Sequence, residues 1–328
     1  MMNKKTKGFI LSIAAIGVLA GCSANADSDE LPDKITLDYA YYSPTSLVLK
    51  EQGLVEEALA DEGVEVEWVL SQGSNKALEF LNSRSVDFGS TAGAAALIAK
   101  SNGSPIESVY LYAKPEWTAL VAAEGSDIQS VEDLAGKKVA ATLGTDPYIF
   151  LLRALEEAGL SSEDVEIVNL QHPDGANALS SGQVDAWAGL DPHMARAELD
   201  TGAELFYRNA DFNTYGTLNV RSDFAEDYPE LVETVIEQYE IAREWTIENP
   251  DEAAAILSEE ADMNIEVAKA SVARNDFSNP VIGSEHTEAL IAAGEVLRNE
   301  EVIDADADVE SLVDELLNPS FTESLGSE

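Results

Sequence analysis

Chemistry is on offer where the short apolar runs of this sequence end. Val139 to Leu143 stops at Gly144-Thr145-Asp146-Pro147, and a leucine-rich helical pattern follows at once. A strand, a tight polar turn and a helix start leave backbone N–H groups able to hold an anion. The layout recurs at Tyr42-Ser43-Pro44-Thr45-Ser46, at Ser71-Gln72-Gly73-Ser74-Asn75 and at Gly89-Ser90-Thr91-Ala92-Gly93. Each junction is small, hydroxyl-rich or glycine-bearing, and each opens a helical pattern. One such junction is simply what helix capping asks for. Several on the carboxyl edge of parallel strands predict a ligand cleft.

Catalytic patterns are lacking. No phosphate-binding Gly-rich loop and no Gly-x-Ser-x-Gly elbow occurs. His172, His193 and His286 lack the spacing of a zinc site and read as surface or supporting groups. No metal and no cofactor is expected, nor enzyme activity. Trp187 falls within an apolar run and reads as core. Trp117, beside Pro115 and Glu116, reads either as core or as a wall of the cleft.

Around these junctions, strand and helix patterns alternate. Strands are expected at Lys34–Tyr42, Val64–Leu70, Val86–Gly89, Ile106–Ala113 and Thr118–Ala123, then at Lys137–Leu143, Val165–Leu170, Val184–Leu190, Glu204–Tyr207 and Leu218–Arg221. Helices are expected at Pro44–Ala60, Ser74–Ser83, Thr91–Lys100, Pro147–Ala158, Ala176–Ser181 and Pro192–Leu199, with a helical remainder from Ala225. Such alternation predicts α/β architecture with parallel sheets, and two series predict two lobes.

The chain of 328 residues carries 62 Asp plus Glu against 19 Lys plus Arg, a formal charge of −43. That sign excludes nucleic acid and anionic membrane surfaces as partners. It also repels itself, which physiological salt relieves by screening beyond about 8 Å. The balance predicts a salt-adapted or alkaline-adapted source. Cys22 is the single cysteine, so no intramolecular disulfide forms and no folded thiol nucleophile is expected. Lys4, Lys5 and Lys7 precede an apolar stretch that ends in Leu19-Ala20-Gly21-Cys22, the layout of an export signal. This ending resembles a bacterial lipoprotein signal, which makes Cys22 the lipidated first residue. Ala24-Asn25-Ala26 offers a rival cleavage site.

Longer motifs carry a further resemblance. Ser85-Val86-Asp87-Phe88-Gly89, Ser130-Val131-Glu132-Asp133-Leu134-Ala135-Gly136-Lys137-Lys138-Val139 and Gln183-Val184-Asp185-Ala186-Trp187 with Asp191-Pro192 occur in order. Arg221-Ser222-Asp223-Phe224-Ala225 with Tyr228-Pro229-Glu230 follows. Together, from about Ile35 to Thr246, they resemble the solute-binding lipoproteins of ABC importers for taurine, aliphatic sulfonates and nitrate. The resemblance implies a type II periplasmic-binding-protein fold with two crossing segments, near Lys114–Thr118 and Asn213–Asn219. It divides the chain into a signal (1–21), a tether (22–34), a first lobe (35–116 and 218–317), a second lobe (117–217) and a polar tail (318–328).

It further implies a monomer, tethered to the membrane by lipid, that delivers a small anionic or zwitterionic solute to a permease and its ATPase. A sulfonate head would rest on Ser43, Thr45, Ser46, Gln72, Gly73, Thr91, Ala92, Gly144 and Thr145, with its tail against Trp117. Tyr215 completes the set. Asp146 would either cap the helix it opens or, like Asp191, meet a ligand's ammonium group. A nitrogen heterocycle or nitrate is the alternative ligand. An enzyme on the same scaffold and a sensor domain are the alternative classes.

Overall fold

The structure, a computed structural model, describes residues 31–323 and Leu325. The signal segment, Cys22 and most of the tether lie outside the described residues. Two sheets form the frame. The first contains β1 (Lys34–Tyr39), β2 (Glu65–Leu70), β3 (Phe88–Ala92), β4 (Ile106–Pro115), β10 (Gly216–Arg221) and β11 (Asn275–Asp276), in the order β11-β4-β10-β3-β1-β2. The second contains β5 (Thr118–Ala122), β6 (Lys138–Ala141), β7 (Glu166–Asn169), β8 (Ala186–Leu190) and β9 (Glu204–Tyr207), in the order β7-β6-β8-β5-β9.

The sheets are mixed rather than wholly parallel. β1 runs parallel to β2 and β3, and β6 parallel to β7 and β8. β10 is antiparallel to both β3 and β4, and β5 antiparallel to β8 and β9. These exceptions are the two strands through which the chain enters one sheet on leaving the other, at 115–118 and 212–216. A crossing strand arrives from outside the repeating unit, so the parallel rule for strand-helix-strand units does not bind it.

Helices cover the sheets: α1 (Pro44–Glu51), α2 (Leu54–Leu59), α3 (Ser74–Asn82), α4 (Gly93–Ser101), α5 (Asp146–Glu157), α6 (His172–Ser180) and α7 (His193–Thr201). The helical remainder is α8 (Ser222–Asp227), α9 (Pro229–Glu248), α10 (Pro250–Glu260), α11 (Ile265–Ala273), α12 (Ser284–Asn299) and α13 (Val309–Leu316). The single helix expected over 44–60 is interrupted at Gln52-Gly53. The helix expected from Ala176 begins four residues earlier, because Pro173 suits a first turn, where its missing N–H has no intrahelical partner. Gly175 hides that start from a propensity reading. It is required by packing: a Cβ there would lie 2.6 Å from Nε1 of Trp187, the fully buried core residue of β8.

Two aspartates of the recurring Val-Asp motif do the same work in the two sheets. Asp87, just before β3, accepts from the N–H of Thr36 at 2.8 Å, and Asp185, just before β8, from the N–H of Lys138 at 2.8 Å. Each carboxylate therefore pins the neighbouring strand, β1 at its third residue and β6 at its first.

Candidate functional site

The carboxyl ends of the strands bring helix starts together from both sheets. α1, α3, α5 and α6 each open without a side-chain cap. Gly73, at the start of α3, lies so close to the second sheet that a Cβ on it would stand 3.0 Å from Nε2 of His172, the first residue of α6. Gly144 holds φ +73, a left-handed turn that favours glycine, and its Cβ position is 3.9 Å from Cβ of Asn75. Three helix N-termini therefore converge where the two sheets face each other, and each presents partial positive charge to that space.

Buried polar atoms without partners cluster at these helix starts. Among the described residues, Ser43 Oγ, Thr45 Oγ1, Ser71 Oγ, Asn75 Oδ1 and His172 Nε2 are enclosed and accept or donate no hydrogen bond. Such atoms mark a place completed by water or by a ligand. His172 is held by Thr142, whose hydroxyl donates to the Leu170 carbonyl at 2.6 Å and so accepts from Nδ1 at 3.2 Å. The open Nε2 is then an acceptor in the neutral ring. Burial, with His193 nearby, pulls this imidazole down to about 3. It is wholly buried, so of the surface and supporting readings the sequence offers, the structure places it as a buried group.

Beside these groups lies a cavity of about 200 Å³, walled by Tyr41, Tyr42 and Ser71 from the first sheet's side and by Pro173, Leu190 and Pro192 from the second's. Gln72 and Asp191 also line it, and among the described residues no lysine or arginine does.

The expected contacts divide into two groups. Ser43, Thr45, Gln72, Gly73, Gly144 and Thr145 stand at the facing helix starts. Thr145 turns its hydroxyl onto the Thr142 carbonyl at 2.7 Å, leaving the first turn of α5 uncapped. The others are committed elsewhere. Ser46 donates to the Ser43 carbonyl at 2.7 Å and accepts from Ala40 N–H at 3.1 Å, closing the turn itself. Thr91 accepts from Asn219 at 2.8 Å and donates to the Ala92 carbonyl at 3.0 Å. The start of α4, after Ala92, is filled: Gly93 N–H donates to the Tyr215 carbonyl at 2.9 Å and Ala94 N–H to Thr214 Oγ1 at 3.1 Å. Tyr215 packs edge-on against His286 with centroids 5.0 Å apart.

Trp117 is core rather than cleft wall. It is 2% exposed, edge-on to Tyr42 at 5.7 Å, and it donates through Nε1 to Asp146 Oδ2 at 2.8 Å. Asp146 neither caps α5 nor faces open space. Its oxygens also accept from Thr214 N–H at 3.0 Å and Thr214 Oγ1 at 2.6 Å. Burial pushes this carboxyl up to about 6, against the pull of those bonds. Asp191 is likewise taken: Arg274 Nη1 lies 3.0 and 3.2 Å from its oxygens and Ala195 N–H donates at 2.9 Å. Burial pushes Asp191 up to about 6 even with that guanidinium beside it. Arg274 also reaches Glu198 on α7 at 2.5 Å, so one side chain just beyond α11 grips two acids at the second sheet. Neither Asp146 nor Asp191 is free for an ammonium group.

Asn75, Ser71, Tyr41 and Leu190 were not singled out by the sequence, although Ser71 and Asn75 belong to a quoted junction. Which hydroxyl of a junction turns outward depends on the fold around it. Among the described residues, no group of three or more His, Cys, Asp or Glu could hold a metal ion, and no helix is long and apolar enough to cross a membrane.

Known proteins resemble the chain and its fold. The chain is 29% identical over 313 residues to a putative aliphatic sulfonates-binding protein of Bacillus subtilis, covering 94% of each chain. It is 30% identical over 196 residues to the taurine-binding periplasmic protein of Escherichia coli, covering 58% of this chain and 60% of that one. The alkanesulfonate-binding protein of Xanthomonas axonopodis pv. citri, solved bound to MOPS, superposes with a TM-score of 0.80 at 21% identity, covering 88% of this chain and 98% of that one. A desulfurization enzyme, DszB, shares the fold with a TM-score of 0.64 at 16% identity over 89% of this chain and 98% of its own, so the fold does not decide between binding and catalysis. The fold is that of the type II periplasmic-binding proteins. The profile of the NMT1/THI5-like family matches residues 59–253, and the chain belongs to that family.

Proposed function

We propose that this protein is the extracytoplasmic solute-binding component of an ABC importer and captures a small organosulfonate between its two lobes. The observation that carries this is the meeting of uncapped helix starts with enclosed, unpartnered hydroxyls, beside a cavity whose lining holds no lysine or arginine. A sulfonate spreads one charge over three oxygens, and such a head suits backbone N–H groups and hydroxyls. The apolar cavity beside them suits an organic tail. Nitrate has no tail to fill it. The family relatives named for sulfonates and taurine support the same class.

Because Asp146 and Asp191 are committed to protein partners, an uncharged tail suits the cavity better than taurine's ammonium. Binding is favoured over catalysis by the state of the one buried imidazole there. Its Nδ1 is held by Thr142 and, among the described residues, no hydroxyl hydrogen-bonds its Nε2, so no nucleophile is activated by it in this structure. The protein would act as a monomer, exported by the signal of residues 1–21 and held by lipid at Cys22, with lobes 35–116 plus 218–317 and 117–217 closing on the ligand. Permease and ATPase are its partners.

A thermal-shift screen in moderate salt tests the ligand class. Ethane- and butanesulfonate are expected to raise the melting temperature more than taurine does, with nitrate and pyrimidines silent. A ligand at a hundred times its Kd adds about 2.7 kcal/mol, which such a screen resolves. Stabilisation by a pyrimidine alone would overturn the sulfonate reading.

A further inference from the structure

The cavity beside the helix starts ends at two side chains. Pro173, second residue of α6, and His193, first residue of α7, line it together with Leu190 and Pro192. The same two residues also line a groove of about 450 Å³ on their other side. That groove runs between Ala176 and Ser180 of α6 and Arg196 and Ala197 of α7. Among the described residues, Pro173 and His193 are the only ones common to the two spaces, so they form the partition between them. Pro173 is rigid and its backbone is set by the helix start. His193 is half-buried and can be exchanged without emptying a core. Burial, aided by Arg196, pulls its imidazole down to about 4, so at neutral pH the partition carries no charge.

We propose that His193 is a specificity-determining residue: with Pro173 it ends the tail cavity and so sets the length of organosulfonate that the protein accepts. This rests on the sulfonate reading above. A tail growing from the head site gains contact with each methylene until it meets the imidazole. Beyond that it must bend back into water or displace the ring. Removing the ring joins the cavity of about 200 Å³ to the groove of about 450 Å³.

Calorimetric titration of ethane-, butane- and octanesulfonate into wild type, His193→Ala and His193→Phe tests this. Each methylene taken out of water adds about fourfold to affinity. In wild type the gain is expected to stop before octanesulfonate. In His193→Ala it continues, and the octane-to-ethane affinity ratio rises by more than about tenfold. In His193→Phe the ratio falls below that of wild type. A ratio equal in all three proteins, or a wild-type affinity that already climbs through octanesulfonate, overturns the proposal. Binding of none of the three to wild type would instead remove the sulfonate reading, and this one with it; a flat ratio with tight ethanesulfonate binding would remove only this one.

Discussion

Asp38 sits on β1 with no exposed surface; its Oδ1 accepts from Ser90 N–H at 2.7 Å, while Oδ2 has no partner. Burial pushes this carboxyl up to about 7, against the pull of the Ser90 N–H. An unfolded aspartate titrates near 4, so between about pH 4 and pH 7 the native chain binds this proton and the unfolded chain does not. The stability that Asp38 contributes is therefore present at low pH and lost as pH rises through 7. Asp38→Asn keeps an acceptor for Ser90 and has nothing to ionise. The variant is expected to gain on wild type by about 2 kcal/mol on going from pH 5 to pH 8, read by urea denaturation at both values. A gain that shrinks with pH would show the carboxylate to be favoured by its site. Side-chain direction is also where the sequence was least readable. Ser43 and Ser46 stand three apart in one turn, yet one hydroxyl closes the turn and the other is left open. Asn75 and His172 are 97 positions apart and meet across Gly73, which no local spacing announces.

Elements were easier to read than contacts, since alternation and apolar runs reflect burial on the two faces of a strand. The strand-helix order and the junction at Gly144 were legible in this way. The antiparallel sense of β5 and β10 was not, because direction is set by the path of the chain between sheets and leaves no mark on the strand itself. The Val-Asp motif was visible as a resemblance, and the structure supplies its cause in the bonds to Thr36 and Lys138. The two copies differ in setting. Asp87 is partly buried and paired with Arg221 at 3.1 Å, whereas Asp185 is exposed. An N–H left unpaired away from water costs about 1–3 kcal/mol, and one that water reaches costs much less. Asp87→Ala is thus expected to destabilise the protein by about 2 kcal/mol and Asp185→Ala by less than about 1 kcal/mol in denaturant titrations. Equal costs would mean that the N–H of Lys138 is as shielded as that of Thr36.

At the scale of the molecule, a formal charge of −43 acts on every element at once. Raising the salt from about 10 mM to about 0.5 M shortens the screening length from about 30 Å to a few ångströms. Exposed ion pairs such as Lys34–Glu67 at 2.8 Å weaken under the same change, but each is worth at most about 1 kcal/mol. Self-repulsion should dominate, so the melting temperature is expected to rise by several degrees over that range in calorimetry; a flat or falling curve would show that the acids are already balanced locally. The two sheets share this charge and are tied where the chain passes between them. Thr214 lies in one of those ties, accepting from Ala94 of α4 on one side and donating to Asp146 of α5 on the other, while Asp146 also takes Trp117 from the second tie. Bonds that reach both bodies can outlast their relative rotation only near the line about which they turn. If the two sheets turn on one another as proposed, Thr214, Asp146 and Trp117 mark the pivot, and Asp191, whose N–H donates to the Trp117 carbonyl at 2.9 Å, lies beside it with Arg274. In the proposed closure, a ligand seated beside that pivot would be gripped by a small movement there and a larger one at the rim.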